Sequence, residues 1–195
     1  MGVALFSFAN DWISRKENTM SVQDLGLKSA DRKHVAQGLT RVLASTYMLY
    51  VKTHNYHWNV TGPLFQPLHG LFEEQYTHLA KSVDEIAERI RSLGYRAPGT
   101  MQEFLKLSHT QEDAPEQQPE AEDMLMNLQQ DHEAISSAGR KLIHLAQDAG
   151  DDATSDLVTK QIEFHEKTAW MLRSFLTPAE SVNSAIKLQS LQSPS

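Results

Sequence analysis

The chain has 195 residues, 40% of them hydrophobic, no cysteine and a formal net charge of −7. That length suits one globular domain with tails, while the missing cysteine excludes disulfides, thiolate catalysis and zinc–thiolate sites and makes a cytoplasmic location the simplest expectation. The acidic balance speaks against a surface wholly devoted to nucleic acid and fits one that attracts cations.

No apolar run is long enough to span a bilayer. Met1 to Ile13 is partly apolar, but it lacks a basic leader and is interrupted by Asn10 and Asp11, which makes it a poor signal peptide. The first predicted helix runs from about Asp31 to Val60, with Ser29 or Asp31 as the expected cap. Val35, Leu39, Val42, Leu43, Leu49 and Tyr50 form its approximate apolar stripe. Thr61-Gly62-Pro63 breaks it. The second helix spans about Pro67 to Leu93, with Pro67 in the first turn and Gly94 at the terminus. A short helix is expected over Met101 to Leu107, followed by an acidic, proline-containing connection around Gln111 to Glu120. The third long helix covers about Glu120 to Gln147 and stops at Gly150. The fourth starts near Asp152 or Thr154 and reaches Leu176, before Pro178. Four long helices with one long crossover predict an all-α up-down bundle over residues 31–177. Residues 1–30 and 178–195 read as a mobile N-terminal extension and a C-terminal tail.

The chemistry-bearing residues share one region. His57 closes the first helix. His69 and Glu73 are four apart at the start of the second, and Asp84 and Glu88 are four apart further along it. Such pairs lie on one face, and about three turns separate them, so all four side chains point roughly the same way. Imidazole mixed with carboxylate suits Fe(II), carboxylate suits Fe(III), and zinc is a competitor for the same donors. His69, placed in a first turn, is expected to feel the positive end of the helix dipole, which favours its neutral, metal-binding form.

From His69 to Glu88 the helix climbs about 28 Å, so one metal site cannot use both ends. Either two half-furnished sites exist or a second subunit completes each one. An antiparallel copy of the same helix sets His69 and Glu73 of one chain against Asp84 and Glu88 of the other, twice per dimer. The two-fold axis then falls near His78 and Leu79, where Thr77 and Ala80 are small enough for close approach.

His57-Trp58-Asn59-Val60-Thr61-Gly62, Leu68-His69 and Glu73, then Val83-Asp84-Glu85-Ile86-Ala87-Glu88-Arg89 with Leu93-Gly94, resemble the two signatures of the Dps family of mini-ferritins. The resemblance covers about residues 32–176. It implies a ferritin-like four-helix bundle and a homododecameric shell built from two-fold dimers. It also implies ferroxidase centres at dimer interfaces, where His57, His69, Glu73, Asp84 and Glu88 bind iron and Fe(II) is oxidised, preferentially by hydrogen peroxide and otherwise by oxygen. Position 73 is aspartate in many members, which bears on metal spacing. Trp58 matches an aromatic beside the family's site, with simple indole packing as the competing account. His54, one turn before His57, is a candidate modulator of the site. Asp152 and Asp156 match aspartates around iron-admitting pores, although an aspartate at a helix start is also an ordinary cap; Asp148 is a weaker candidate. His78 lies about 120° off the ligand face. His165 sits mid-helix, where a lone histidine is usually structural; His34, His109, His132 and His144 receive no role.

Some members of the family bind DNA through lysine-rich tails. Here the charges before Ala30 are Asp11, Arg15, Lys16, Glu17, Asp24 and Lys28, which balance, and only Glu180 and Lys187 follow Pro178. DNA binding is therefore expected to be weak or absent, against the alternative of a nucleoid-structuring protein with minor iron activity. A carboxylate oxidase with its site inside one bundle needs Glu-x-x-His pairs on two helices, and no histidine here has Glu three positions earlier.

Overall fold

The computed structural model describes residues 23–177 apart from 115 and 117. Of the charges in the balanced-tail argument about DNA, only Asp24 and Lys28 are among the described residues; the others fall in 1–22 and 178–195, which lie outside them. Among the described residues five helices follow in order: α1 Ser29–Asn59, α2 Phe65–Ser92, α3 Met101–Leu107, α4 Ala121–Ala149 and α5 Asp152–Leu176. Among the described residues there is no strand. No described helix is long and apolar enough to cross a membrane.

The hairpins α1–α2 and α4–α5 pack together through α1 and α4, with α3 against α1. Lys52 reaches Asp131, and Leu142 lies over Gly38, so α1 and α4 run antiparallel. The core is the interior of this four-helix bundle, with Leu39, Leu43, Leu49, Phe72, Leu79, Ile86, Leu125 and Leu128 fully buried. These are apolar positions at helical spacing, and each helix buries the stripe it carries.

The ends differ from the sequence expectation where capping is concerned. α1 begins at Ser29, so Lys28 holds the cap position and makes no side-chain cap bond; Asp31 instead sits in the first turn. There its carboxylate still favours the helix dipole. Leu25 and Leu27, assigned to the extension, pack against the core. α2 begins at Phe65, two residues before Pro67, because Leu64 already accepts from Leu68 N–H at 3.1 Å. α4 ends at Gly150, whose φ of 70° is the left-handed conformation that glycine adopts without strain. α5 is capped by Asp151, which accepts from Thr154 N–H at 3.0 Å.

The long crossover is held from within. Tyr56 Oη donates to Asp113 at 2.5 Å and accepts from Asn127 at 3.0 Å. Lys52 pairs with Asp131 at 2.7 Å and lies 3.8 Å from Asp113. Burial raises the Tyr56 phenol well above its ordinary value, and the Asp113 bond adds to this. Burial also raises Asp131, against the pull of Lys52. This network fixes the connection on the end of α1 that carries His57.

Candidate metal centre

The end of α1 and the start of α2 meet across the Thr61–Pro63 turn. His57 Nδ1 lies 2.8 Å from the carbonyl of His69, and His69 Nδ1 lies 2.8 Å from the carbonyl of His57. The rings stack with centroids 3.8 Å apart and planes 20° apart. A carbonyl only accepts, so each Nδ1 donates and each neutral ring keeps its lone pair on Nε2. Orientation of a metal-ligating imidazole through its second nitrogen is what a metal site requires. This corrects the dipole argument for His69. It is the fifth residue of α2 rather than a first-turn residue, and a hydrogen bond to the facing helix fixes its tautomer.

Glu73, Asp84 and Glu88 are exposed on α2, while Phe72, Gln75, Leu79, Ser82 and Ile86 turn inward. Thr77 and Ala80, between the two acidic positions, are exposed as well. Within one chain, the structure brings His57 and His69 together. Among the described residues it brings no three histidine or acidic side chains into one metal-holding group. Glu73 is one helical turn from His69, and Asp84 lies about 22 Å along the axis from it.

An aromatic cluster surrounds the pair. His54 is stacked on Tyr76 at 4.1 Å and lies 4.1 Å from Trp58. Tyr76 meets His57 edge-on at 5.2 Å, and Phe65 lies 5.1 Å from His69. Burial, then the neighbouring His57, lowers His54 below the ordinary histidine value. Trp58 is 65% exposed, with its ring resting on His54. Tyr76 was not singled out from sequence; its position one turn beyond Glu73 was the available signal.

At the other end of α2, Arg89 donates to Asp151 at 2.5 Å and to Thr154 at 2.9 Å. Asp151 is buried and holds the cap position of α5, a helix whose start is expected from sequence at Asp152 or Thr154. Asp152 and Asp156 are exposed at the start of α5, where Asp156 pairs with Lys160 at 2.8 Å.

Comparison with known proteins agrees with the four-helix fold. The family model for the ferritin-like domain matches residues 36–182. The chain is 42% identical over 144 residues to DNA protection during starvation protein 2 of Bacillus anthracis, covering 74% of this chain and 97% of that one. The chain belongs to the Dps family of ferritin-like proteins. It is also 43% identical over 154 residues to a low temperature-induced protein of Nostoc, covering 78% of this chain and 86% of that one. Among solved structures, the Dps protein of Vibrio cholerae superposes with a TM-score of 0.76 at 32% identity, covering 82% of this chain and 99% of that one. That protein is described as a member of a broad superfamily of ferritin-like diiron-carboxylate proteins. The Dps resemblance of the two sequence motifs and the four-helix architecture thus coincide.

Proposed function

We propose that this Dps-family chain binds Fe(II) at centres shared between two subunits, oxidises it, and stores the ferric product in a dodecameric shell. The observation that carries the reading is the reciprocal His57–His69 pairing, which leaves two oriented Nε2 lone pairs beside an exposed carboxylate face. The remaining donors, Asp84 and Glu88, come from the partner's copy of α2 laid antiparallel, with Glu73 beside His69. Small exposed residues at 77 and 80 permit that approach.

Iron is the substrate. Two Fe(II) each give one electron to one hydrogen peroxide, which takes up two protons and leaves as two waters. Consuming both reagents together removes the pair that generates hydroxyl radical, and this protects against oxidative stress; oxygen is the slower oxidant. The imidazoles hold Fe(II), and the carboxylates stabilise the higher charge of Fe(III). Zinc competes for the same donors. Trp58 and His54 lie beside the centre, and Asp152 and Asp156 are proposed to line the pore that admits iron. A cytoplasmic location and weak or absent DNA binding complete the reading.

The test is anaerobic Fe(II) loading followed by peroxide, with size exclusion on the same sample. A large oligomer that oxidises about two Fe(II) per peroxide supports the reading. A monomer without an iron-dependent absorbance change sinks it.

A further inference from the structure

His132 of α4 and His165 of α5 meet in the bundle interior, with Nδ1 atoms 2.9 Å apart across 33 positions of sequence. Their exposures are 0% and 1%. Neither Nε2 has a hydrogen-bond partner among the described residues. Phe164 lies edge-on to both rings, at 5.8 Å and 5.4 Å, and its face stacks on His78 of α2 at 3.7 Å. His78 is exposed on the flank of α2 that faces α5, about 120° from the face that carries Glu73 and Asp84.

The Nδ1–Nδ1 bond needs one donor and one acceptor. It exists when the pair is neutral, and it survives one added proton. A second proton places N–H against H–N at bonding distance, with both rings shut away from water. The charged groups around the pair offer no relief. From α2, His78 acts on both rings with the same sign of charge, and Glu85 and Lys81 act on His78. On the α1 side Lys52 is paired with Asp131. On α4 and α5, Glu133 is paired with Arg173 and Glu166 with Arg140.

We propose that the His132–His165 pair is an acid-released latch: double protonation is incompatible with the closed α4–α5 contact, so acid favours the opened form, in which Phe164 is freed and with it His78 on the flank of α2. Burial independently pushes both imidazoles down, His132 well below the ordinary value and His165 to about 3. Both rings therefore bind protons only once the bundle opens, and the stability of the closed form is lost as pH falls below the unfolded value of about 6.5. Each ring adds up to about one decade in the unfolding constant per pH unit, so the pair adds up to about a hundredfold per unit once pH is well below that value.

The experiment is urea unfolding of the full chain from about pH 7 to about pH 5, at one protein concentration, beside His132→Asn/His165→Asn. Asparagine keeps an amide donor and acceptor near the Nδ1 position and does not titrate. Between about pH 6.5 and pH 5 the unfolding constant of the native chain should rise about 300-fold relative to the variant, because each ring is already half protonated in the unfolded chain at about pH 6.5. A ratio constant within about threefold overturns the latch. Should the variant fail to fold, histidine-labelled NMR of the native chain decides. Two imidazoles that stay neutral in the folded state to about pH 5 support it, and titration of either near 6.5 overturns it. The latch belongs to the bundle and does not depend on iron oxidation. Size exclusion of the same samples reports separately whether opening reaches the proposed dimer face: oligomer loss that tracks the native chain's transition and is absent in the variant supports the His78 link, and unchanged oligomers across that transition remove it.

Discussion

Replacing Asp151 with alanine removes three interactions at once. Its carboxylate accepts from Thr154 N–H at 3.0 Å and Thr154 Oγ1 at 2.6 Å, and it pairs with Arg89 at 2.5 Å. The side chains of Asp151 and Arg89 are 1% and 16% exposed. Loss of a helix cap costs about 1 kcal/mol. Breaking a buried ion pair by deleting one partner costs about 3–5 kcal/mol, and the partial exposure of Arg89 places this one at the low end. The expected total is about 4 kcal/mol, which lowers Tm by about 10 °C in a bundle of this size. Far-UV circular dichroism during a thermal scan, at one protein concentration, reads it. Asp151→Asn keeps an oxygen for the cap but no charge, and should lose about half as much. A shift below about 3 °C for Asp151→Ala would refute the reasoning, because water would then be satisfying Arg89 as well as the carboxylate does.

The proposed sharing of centres between subunits predicts complementation. His57→Ala and Asp84→Ala should each slow Fe(II) oxidation at least tenfold while leaving oligomer size unchanged, and a mixed assembly should recover part of the rate. No recovery despite verified subunit mixing counts against the shared geometry. Glu103 closes a capping box with Thr100 at the start of α3 and pairs with Arg96. Arg96, with help from the backbone amides of Gly99 and Thr100 and the Thr100 hydroxyl, holds its carboxyl at about 2 against 4.5 ordinarily, although burial opposes them. The stabilisation it lends is therefore complete above about pH 4.5 and is lost as pH falls towards 2; amide protection of α3 should fall across that window in the native chain and be flat for Glu103→Gln. A Cβ at Gly139 would lie 2.9 Å from Ile162 Cγ1, so Gly139→Ala should spread α4 from α5. Overpacking of about 1–3 kcal/mol then exceeds the gain of about 1 kcal/mol in helix propensity, and chemical denaturation should show a less stable chain.

Helix identities were legible because each long helix carries its stripe at about 3.6-residue spacing, and because Gly94 and Gly150 close α2 and α4. The first-turn role of His69 was misjudged because Leu64 accepts from Leu68 and extends α2 backwards over Phe65 and Gln66. Asp151 escaped notice beside Asp152, since both are aspartates at a helix start and only burial beneath Arg89 distinguishes them.

The sequence by itself determined the type of fold, the sharing of one face by Glu73, Asp84 and Glu88, and the rise along α2 that keeps His69 and Asp84 of one chain too far apart to share a single metal ion. These depend on helical periodicity and rise, which are local properties of the chain. Only the tertiary structure decided which nitrogen of His57 and of His69 is free, and that His132 and His165 form one buried pair. Those facts depend on which carbonyl or ring a distant segment places within 3 Å, and no local pattern encodes that.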